Sequence, residues 1–453
     1  MKAVLMAGGF GTRLRPLTAN VPKPMVPLGN KPIMEHTVEL LRSQGFDDLL
    51  VLLYFLPDVI TQHFGDGSRW GVRVRYVTPS ADLGTAGAVS FAAQALGEAV
   101  LVVSGDIVTD FDLGAAVAYH ERAKAEATMV LTRVENPLAY GIVITDNAGR
   151  ITRFLEKPTW GEVFSDTINT GIYLLEPSVL SAVPAGREYD FGKDLFPALL
   201  REGRVLAGHV ADGYWRDIGD LVEYRLAHLD VLQRRVRVTP PGRRVEGLDR
   251  DIRLDEGARV DFTAQLRGDV IVGRNSRIEP NARIANSVIG PGCVVGEAAV
   301  LDGCVLWENA EVGPRAILKE CVIGRGAVIR AHATVQEGAV VSDGCRVGAE
   351  AVIRANVKVW PSKEVEDGAT LAVSLVWGER WTRNLFGRYG ITGLANIEIS
   401  PEFASKVGAA LGAAFGRRRT VITSRDHHKV SRMINRALMA GLLSAGVDVQ
   451  DLG

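Results

Sequence analysis

Apolar residues along this chain follow three different patterns, and each marks a different kind of structure. Up to about residue 232, short apolar runs alternate with amphipathic stretches. Lys2–Met6, Asp48–Tyr54, Val72–Val77 and Ala99–Ser104 read as strands, and Ile33–Gln44, Thr85–Leu96 and Leu113–Lys124 as helices. Alternation of this kind predicts a mainly parallel sheet with helices on both faces. The later runs Ala127–Arg133, Tyr140–Thr145, Ile151–Glu156 and Ile168–Leu175 follow one another without long helices, so part of the sheet is predicted to be mixed.

Arg234–Gly247 (RRVRVTPPGRRVEG) interrupts the pattern with basic and turn-forming residues and reads as a linker. Beyond it aliphatic residues recur six apart: Val272, Ile278, Ile284; Ile289, Val295, Leu301; Leu306, Val312, Leu318; then Ile323, Ile329, Val335, Val341, Val347, Ile353 and Val359. A step of five after each of the first three triplets gives a 17-residue super-period. Neither an α-helix nor an ordinary strand has this spacing. It fits a triangular parallel β-helix, with one inward aliphatic per face and Gly, Asn or Asp near the corners. The block resembles hexapeptide-repeat proteins, which are left-handed β-helices. Cys304 and Cys321 lie one super-period apart and are expected to stack on adjacent coils as inert packing.

A third block follows Trp360. Pro401–Phe415 and Val430–Ala445 read as helices, Thr420–Thr423 and Val447–Asp451 as short strands. An α/β unit of only these elements looks incomplete.

A chain of 453 residues is too long for one core, in keeping with these three blocks. Net charge of -1 gives no argument for nucleic acid or an anionic membrane as partner. No apolar stretch reaches transmembrane length, and Met1–Met6 runs straight into a glycine loop without a signal-peptide pattern, so a cytoplasmic protein is expected. The four cysteines lack a CxxC spacing and read as reduced packing residues.

The chemistry concentrates after the first strand, in Ala7-Gly-Gly-Phe-Gly-Thr-Arg-Leu-Arg-Pro-Leu-Thr18 and Pro22-Lys-Pro24. Glycines let backbone N–H groups approach phosphate oxygens. Ala7, Gly8, Gly9, Gly11 and Thr12 are therefore candidates for holding a nucleotide. Displacement at phosphorus needs charge neutralisation and alignment. On that ground Arg13 is assigned to the departing pyrophosphate, and Lys23 to the α-phosphate and the attacking group. Asp106, at the C-terminal end of an apolar strand, is a hard carboxylate suited to Mg2+. Asp217 alone reads as a cap or half of an ion pair; paired with Asp106 it becomes a second ligand. Nothing resembles a nucleophile–base pair, and the eight histidines show no metal spacing.

The string GGxGTRLxPLTxxxPKP resembles the signature of the nucleotidyltransferases that make nucleoside-diphosphate sugars, over about residues 1–232. The resemblance implies a Rossmann-like α/β domain with a mixed sheet at 1–232; the six-residue period adds a left-handed β-helix at 250–375, and the third block a short, incomplete α/β unit at 385–453. The resemblance also implies that Leu83-Gly-Thr-Ala-Gly87, with Gly84 and Thr85, contacts the nucleotide. Ser104-Gly-Asp106 and Tyr214–Gly219 would carry the metal-binding Asp106 and Asp217. Gly141, Glu156, Lys157, Asn169 and Thr170 would line the sugar-phosphate pocket. Bottom-up, Glu156 can accept from sugar hydroxyls and Lys157 can pair with a phosphate, although both could equally be a solvated strand end. Asn169 could read hydroxyls or serve as a turn residue.

The signature, the LGTAG turn and the β-helix together look most like mannose-1-phosphate guanylyltransferases, so GTP, mannose 1-phosphate and Mg2+ are the expected ligands. Glucose-1-phosphate uridylyl-, thymidylyl- and adenylyltransferases share much of the pattern. One departure bears on the base: where the family presents an acidic or amide side chain before LGTAG, this chain has Val77-Thr-Pro-Ser-Ala-Asp-Leu83. The C-terminal block, with Phe386-Gly387, Gly390–Gly393, Thr423–Asp426 and Ala437–Gly453, resembles the first domain of α-D-phosphohexomutases without their phosphoserine loop. An acyltransferase built on the β-helix, with His332 as its only repeat histidine, and a non-catalytic regulatory homologue are the alternatives. The flat β-helix faces lead to the expectation of a homodimer or higher oligomer.

Overall fold

The computed structural model describes the whole chain except residues 94–95, 247–249, 378–379, 382–384, 387–389 and 417–418, and the side chains of residues 380 and 381. The expected residue Gly387 and the end of the connector at Gly247 lie outside the described residues.

The first block is built on a nine-stranded sheet. Lys2–Met6 runs at its centre, parallel to Asp48–Leu52 on one side and to Val100–Ser104 on the other, and Arg73–Val77 extends the parallel half. Thr167–Leu175 runs antiparallel to Val100–Ser104, Ala127–Arg133 and Gly141–Thr145, which makes the sheet mixed as expected. The three central parallel strands are mostly aliphatic because helices cover both faces. Val103 and Leu5 belong to one apolar cluster, Val102 and Val4 to the other. Ile33–Ser43, Gly84–Ala93 and Leu113–Ala123 form the expected helices. Two further elements shape the site. Trp215–Asp217 pairs antiparallel with Ile107–Thr109, and Leu221–Leu232 is a helix capped by Asp220, whose carboxylate accepts from the N–H groups of Val222 and Glu223.

The second block is a parallel β-helix whose register follows the aliphatic spacing. Ile278 aligns with Val295, Val312, Ile329, Val347 and Val365, and Ile284 with Leu301, Leu318, Val335, Ile353 and Leu371. Corner residues Asn275, Asn281, Asn309 and Asn356 have φ between 56° and 61°, the left-handed region that asparagine tolerates. His332 occupies such a corner, exposed, with φ 59°. Cys304 and Cys321 stack with Sγ atoms 3.8 Å apart, and all four cysteines are buried and free.

Within each coil the strands alternate. Val272, Ile289, Leu306, Ile323 and Val341 point into the β-helix, while Ile271, Val288, Val305, Val322 and Val340 point out and join the core of the first block. One face of the β-helix is thus covered within the chain, which reduces the surface expected to be free for self-association.

The basic connector is not a loose linker. Arg237 bonds Asp110 at 3.2 Å, Arg235 bonds Asp230 at 3.2 Å, and Arg234, Arg244 and Arg253 converge on Asp251. Val236 is buried against the first block, and Arg243–Arg244 pairs with the first β-helix strand. Charge misled the sequence reading here because buried carboxylates wait for these arginines.

In the third block, Pro401–Phe415 packs against Lys429–Ser444, and Thr420–Thr423 runs parallel to Asp448–Asp451. Among the described residues no helix is long and apolar enough to cross a membrane.

His228 and His36 are fully enclosed. Burial pushes His228 down to about 3 and holds His36 below the usual imidazole range. An unfolded imidazole takes up a proton below roughly pH 6.5, whereas these stay neutral in the folded state. The unfolded chain therefore binds more protons in that window, and stability falls as pH drops from about 6.5 toward 3. The urea midpoint should fall between neutral pH and pH ~5, with a shallower slope in His228→Gln. A midpoint independent of pH there would contradict the burial argument.

Candidate active site

The loop after the first strand folds on its own side chains. Gly11 has φ 60°, and a Cβ there would lie 3.0 Å from Cβ of Lys23 and 3.1 Å from Cγ2 of Thr18. Only glycine permits that approach without strain. Thr18 Oγ1 donates to the Gly11 carbonyl at 2.7 Å, and short turns at Thr12–Leu14, Leu17–Ala19 and Lys23–Met25 carry the chain back under it. Lys23 ends buried beneath the glycine loop.

Its ammonium donates to Asp106 and lies 3.4 Å from Asp217. The antiparallel pairing places Asp217 opposite Ile107, and Ile218 N–H donates to the Asp106 carbonyl at 3.2 Å. Backbone hydrogen bonds thus bring together two carboxylates 111 positions apart in the chain, as 217 minus 106 gives. Ser104 Oγ donates to the other Asp106 oxygen at 2.5 Å.

Two carboxylates share one enclosed ammonium, and their titrations separate. Burial raises Asp106, but the charge and hydrogen bond of Lys23, with help from Ser104, outweigh it and hold the carboxyl below its usual range. Asp217 is pushed up, first by burial and then by the charge of Asp106, which Lys23 and Arg13 only partly offset. Burial lowers Lys23, yet the two carboxylates overcome this and raise it, so it stays charged. The pair is short of positive charge. A divalent cation fits that deficit, because Mg2+ accepts few protein oxygens and completes its shell from water and phosphate. Asp106 and Asp217 are the residues to hold it; among the described residues no larger cluster of His, Cys, Asp or Glu is placed for a metal.

Lys23 and Asp106 line a cavity of about 360 Å³ that also includes Gly8, Gly9, Ser104, Gly84 and Thr85. Apolar lining comes from Met6, Leu52, Leu53 and Leu83, and the carboxylates of Asp82, Glu188 and Asp190 also face the cavity. Thr85, in the first turn of its helix, donates to Asp190 at 2.9 Å. Asp82 accepts from the Gly84 N–H at 3.0 Å and faces the cavity. Ala7 is buried and donates to the Leu52 carbonyl, whereas Thr12 is exposed.

Arg13 does not line this cavity. It approaches the charge cluster from the side of Gly219 and Asp217, and it lines a second cleft, of about 460 Å³, against the β-helix. The side chain contributes its field to Asp217 and Lys23.

The expected sugar pocket divides. Glu156 pairs across the ladder with Gly141, where a Cβ would sit 2.7 Å from its carboxylate. Burial, reinforced by Asp190, raises the Glu156 carboxyl. Lys157 is exposed, with φ 47°. Asn169 spends its side chain on a bulge, donating to Tyr173 Oη at 2.8 Å and accepting from Gly171 N–H at 3.1 Å. This is the turn role rather than a free hydroxyl reader. Thr170 is a correction. Its side chain is buried and donates to the Val130 carbonyl at 2.7 Å, and its own carbonyl accepts from Trp215 Nε1 at 3.0 Å. The sequence reading passed over Ser104 and Glu188 as site residues: a serine two residues before an aspartate and a glutamate in a polar loop carry no spacing signal.

Comparison with known proteins agrees with these three blocks. A family described as nucleotidyl transferase matches residues 2–234, the EIF2B subunit epsilon LbH (left-handed β-helix) domain matches 250–353, and the phosphoglucomutase/phosphomannomutase alpha/beta/alpha domain I matches 383–453. A UTP–glucose-1-phosphate uridylyltransferase of Synechocystis sp. is 38% identical over 331 residues, covering 69% of this chain and 84% of that protein. A mannose-1-phosphate guanylyltransferase of Mycobacterium tuberculosis is 35% identical over 302 residues, covering 66% and 82%. A probable mannose-1-phosphate guanylyltransferase of Oryza sativa is 31% identical over 348 residues, covering 75% and 86%.

Replacing Lys23 by Met would leave Asp106 and Asp217 facing each other without the ammonium. One of the pair should then take up a proton at a distinctly higher pH than in the unaltered chain, read by NMR titration of carbon-13-labelled aspartate. An unchanged titration would show that Lys23 does not govern the pair.

Proposed function

Because this chain belongs to the nucleotidyl transferase family, whose relatives here act on sugar 1-phosphates, we propose that it makes GDP-mannose and pyrophosphate from GTP and mannose 1-phosphate. The observation that carries the reading is the Lys23–Asp106–Asp217 cluster, of which Lys23 and Asp106 line a cavity together with Gly8 and Gly9. In the proposed reaction the triphosphate lies along the Ala7–Arg13 backbone. Lys23 neutralises the α-phosphate and guides the incoming sugar phosphate. The sugar phosphate oxygen attacks the α-phosphorus in line, the bond to the β-phosphate breaks, and pyrophosphate takes the bonding electrons. Mg2+ held by Asp106 and Asp217 would supply charge neutralisation across the α- and β-phosphates. Arg13, on the Asp217 side, meets the departing pyrophosphate. No covalent enzyme intermediate is required.

Guanine is favoured by the carboxylates that face the cavity. The Watson–Crick edge of guanine offers N1–H and an amino group as donors, and Asp82 and Glu188 face the cavity as acceptors. Uracil offers one N–H on that edge. On the sugar side, Glu156 and Lys157 are the groups to accept from hydroxyls and to meet the phosphate. Tyr140, edge-on to Trp215 at 5.3 Å between ring centres, closes the side nearest Asp217. Glucose-1-phosphate uridylyl transfer is the second reading, favoured by the 38% identity to the Synechocystis uridylyltransferase. Assembly into a homo-oligomer is also proposed, through the β-helix faces that the first block leaves uncovered. His332, alone and exposed on a corner, lends no support to acyl transfer.

A matrix of the common NTPs against hexose 1-phosphates, with pyrophosphate release as readout, tests this. GTP with mannose 1-phosphate should rank among the best pairs, omission of Mg2+ should abolish turnover, and Asp106→Ala should lower kcat by about 100-fold or more. UTP with glucose 1-phosphate as the sole productive pair would replace the first reading by the second.

A further inference from the structure

Lys23 sits on a loop whose two ends are held by the β-helix. On the N-terminal side, Ser342 Oγ donates to the Pro16 carbonyl at 3.2 Å. On the C-terminal side, the Pro27 carbonyl accepts from Tyr224 Oη at 2.7 Å and from His228 Nε2 at 3.2 Å. Tyr224 Oη in turn accepts from Trp307 Nε1, in the β-helix, at 2.9 Å. Gly29 N–H points to His228 Nδ1 at 3.5 Å, so Nδ1 is the acceptor and Nε2 carries the proton. Asn30 Nδ2 donates to the Ile289 carbonyl at 2.8 Å, a third bond to the β-helix.

These bonds are not surface contacts. Tyr224, His228, Trp307 and Ser342 are all at most 2% exposed. A buried donor or acceptor that loses its partner carries the full cost of desolvation, so the loop has one favoured position against the β-helix. Apolar packing acts in the same sense: Leu14, Leu17, Val21 and Val26 of the loop share a core with Val288, Val305, Trp307 and Val340.

The segment between the anchors transmits position. Pro22, Pro24 and Pro27 fix φ on either side of Lys23, and Val26 N–H donates to the Lys23 carbonyl at 3.2 Å. A shift at Pro16 or Pro27 therefore moves the Lys23 backbone, and with it the ammonium between Asp106 and Asp217.

We infer that the β-helix is the positioning element for the catalytic lysine, with Trp307 and Ser342 as positioning residues that act through Tyr224–Pro27 and through Pro16. The inference rests on the nucleotidyltransferase reading, since it assigns Lys23 a part in turnover. Neither residue touches the substrate cavity, and each acts on kcat through the loop alone.

The test uses the full chain. Trp307→Phe keeps an aromatic ring but loses the pyrrole ring with its N–H, and Ser342→Ala removes the hydroxyl. Val347→Ala, inside the β-helix core, serves as a control for lost stability. Pyrophosphate release is measured well below the Tm of every variant. The double variant Trp307→Phe/Ser342→Ala should lose roughly 10- to 100-fold in kcat, with a smaller change in KM for NTP, while Val347→Ala keeps kcat at a comparable loss of Tm. A kcat in the double variant close to that of the unaltered chain overturns the inference. So does an equal loss of kcat in Val347→Ala at matched Tm, which would report stability alone. Should the double variant fail to fold, Tyr224→Phe, which removes the hydroxyl that links Trp307 to Pro27, is read in the same way. Absence of pyrophosphate release by the unaltered chain with every NTP and sugar phosphate overturns the inference together with the reading beneath it.

Discussion

An ammonium enclosed between two carboxylates is the constraint on which this architecture turns. One positive charge cannot satisfy Asp106 and Asp217 together in a half-buried setting, so the cluster holds a standing demand for cations. Bringing the three groups together requires the strand end at Ser104, the antiparallel pairing of Trp215–Asp217 with Ile107–Thr109, and the folded glycine loop above Lys23. In the proposed reading, the Mg2+ that accompanies a triphosphate would supply the missing positive charge, and the phosphates would give the glycine floor its reason. The sheet, the loop and the polar lining of the cavity all serve that one electrostatic arrangement.

The β-helix was legible in the chain because its physics is one-dimensional. Each coil repeats the same inward aliphatic, so six successive steps of six from Ile323 to Val359 leave little freedom of interpretation. The glycine signature was legible for a different reason: Gly11 and Lys23 must touch, and only a narrow set of residues permits it. What escaped the sequence depends on contacts across long separations. The link from Trp307 to Tyr224 spans 83 positions and that from Ser342 to Pro16 spans 326, and no local period foreshadows them. The outward alternation at Val288, Val305 and Val322 was present in the sequence, but it acquires meaning only when a partner face is known. The arginines of the connector misled because charge reads as solvation until a buried carboxylate such as Asp251 is found beside them. Thr170 shows the same limit on a smaller scale, since a motif names the residue but not the direction of its side chain.

The third block stands apart from this account. Its two helices and paired strands lie within the match to the phosphoglucomutase/phosphomannomutase alpha/beta/alpha domain I. Its cleft near Arg425, Ser431 and Asn435 shares no residue with the cavity of the first block. The nucleotidyl transfer proposed above draws on none of its residues.

The central claim is that triphosphate and divalent cation meet at Asp106 and Asp217 under the glycine loop. A crystal structure of the full chain with Mg2+ and a non-hydrolysable GTP analogue measures this directly. The account predicts density for the ion between the two carboxylates, with the triphosphate along Gly8–Arg13 and the base beside Asp82 and Glu188. A nucleotide bound in the cleft against the β-helix, or an ion ligated by neither aspartate, would contradict it.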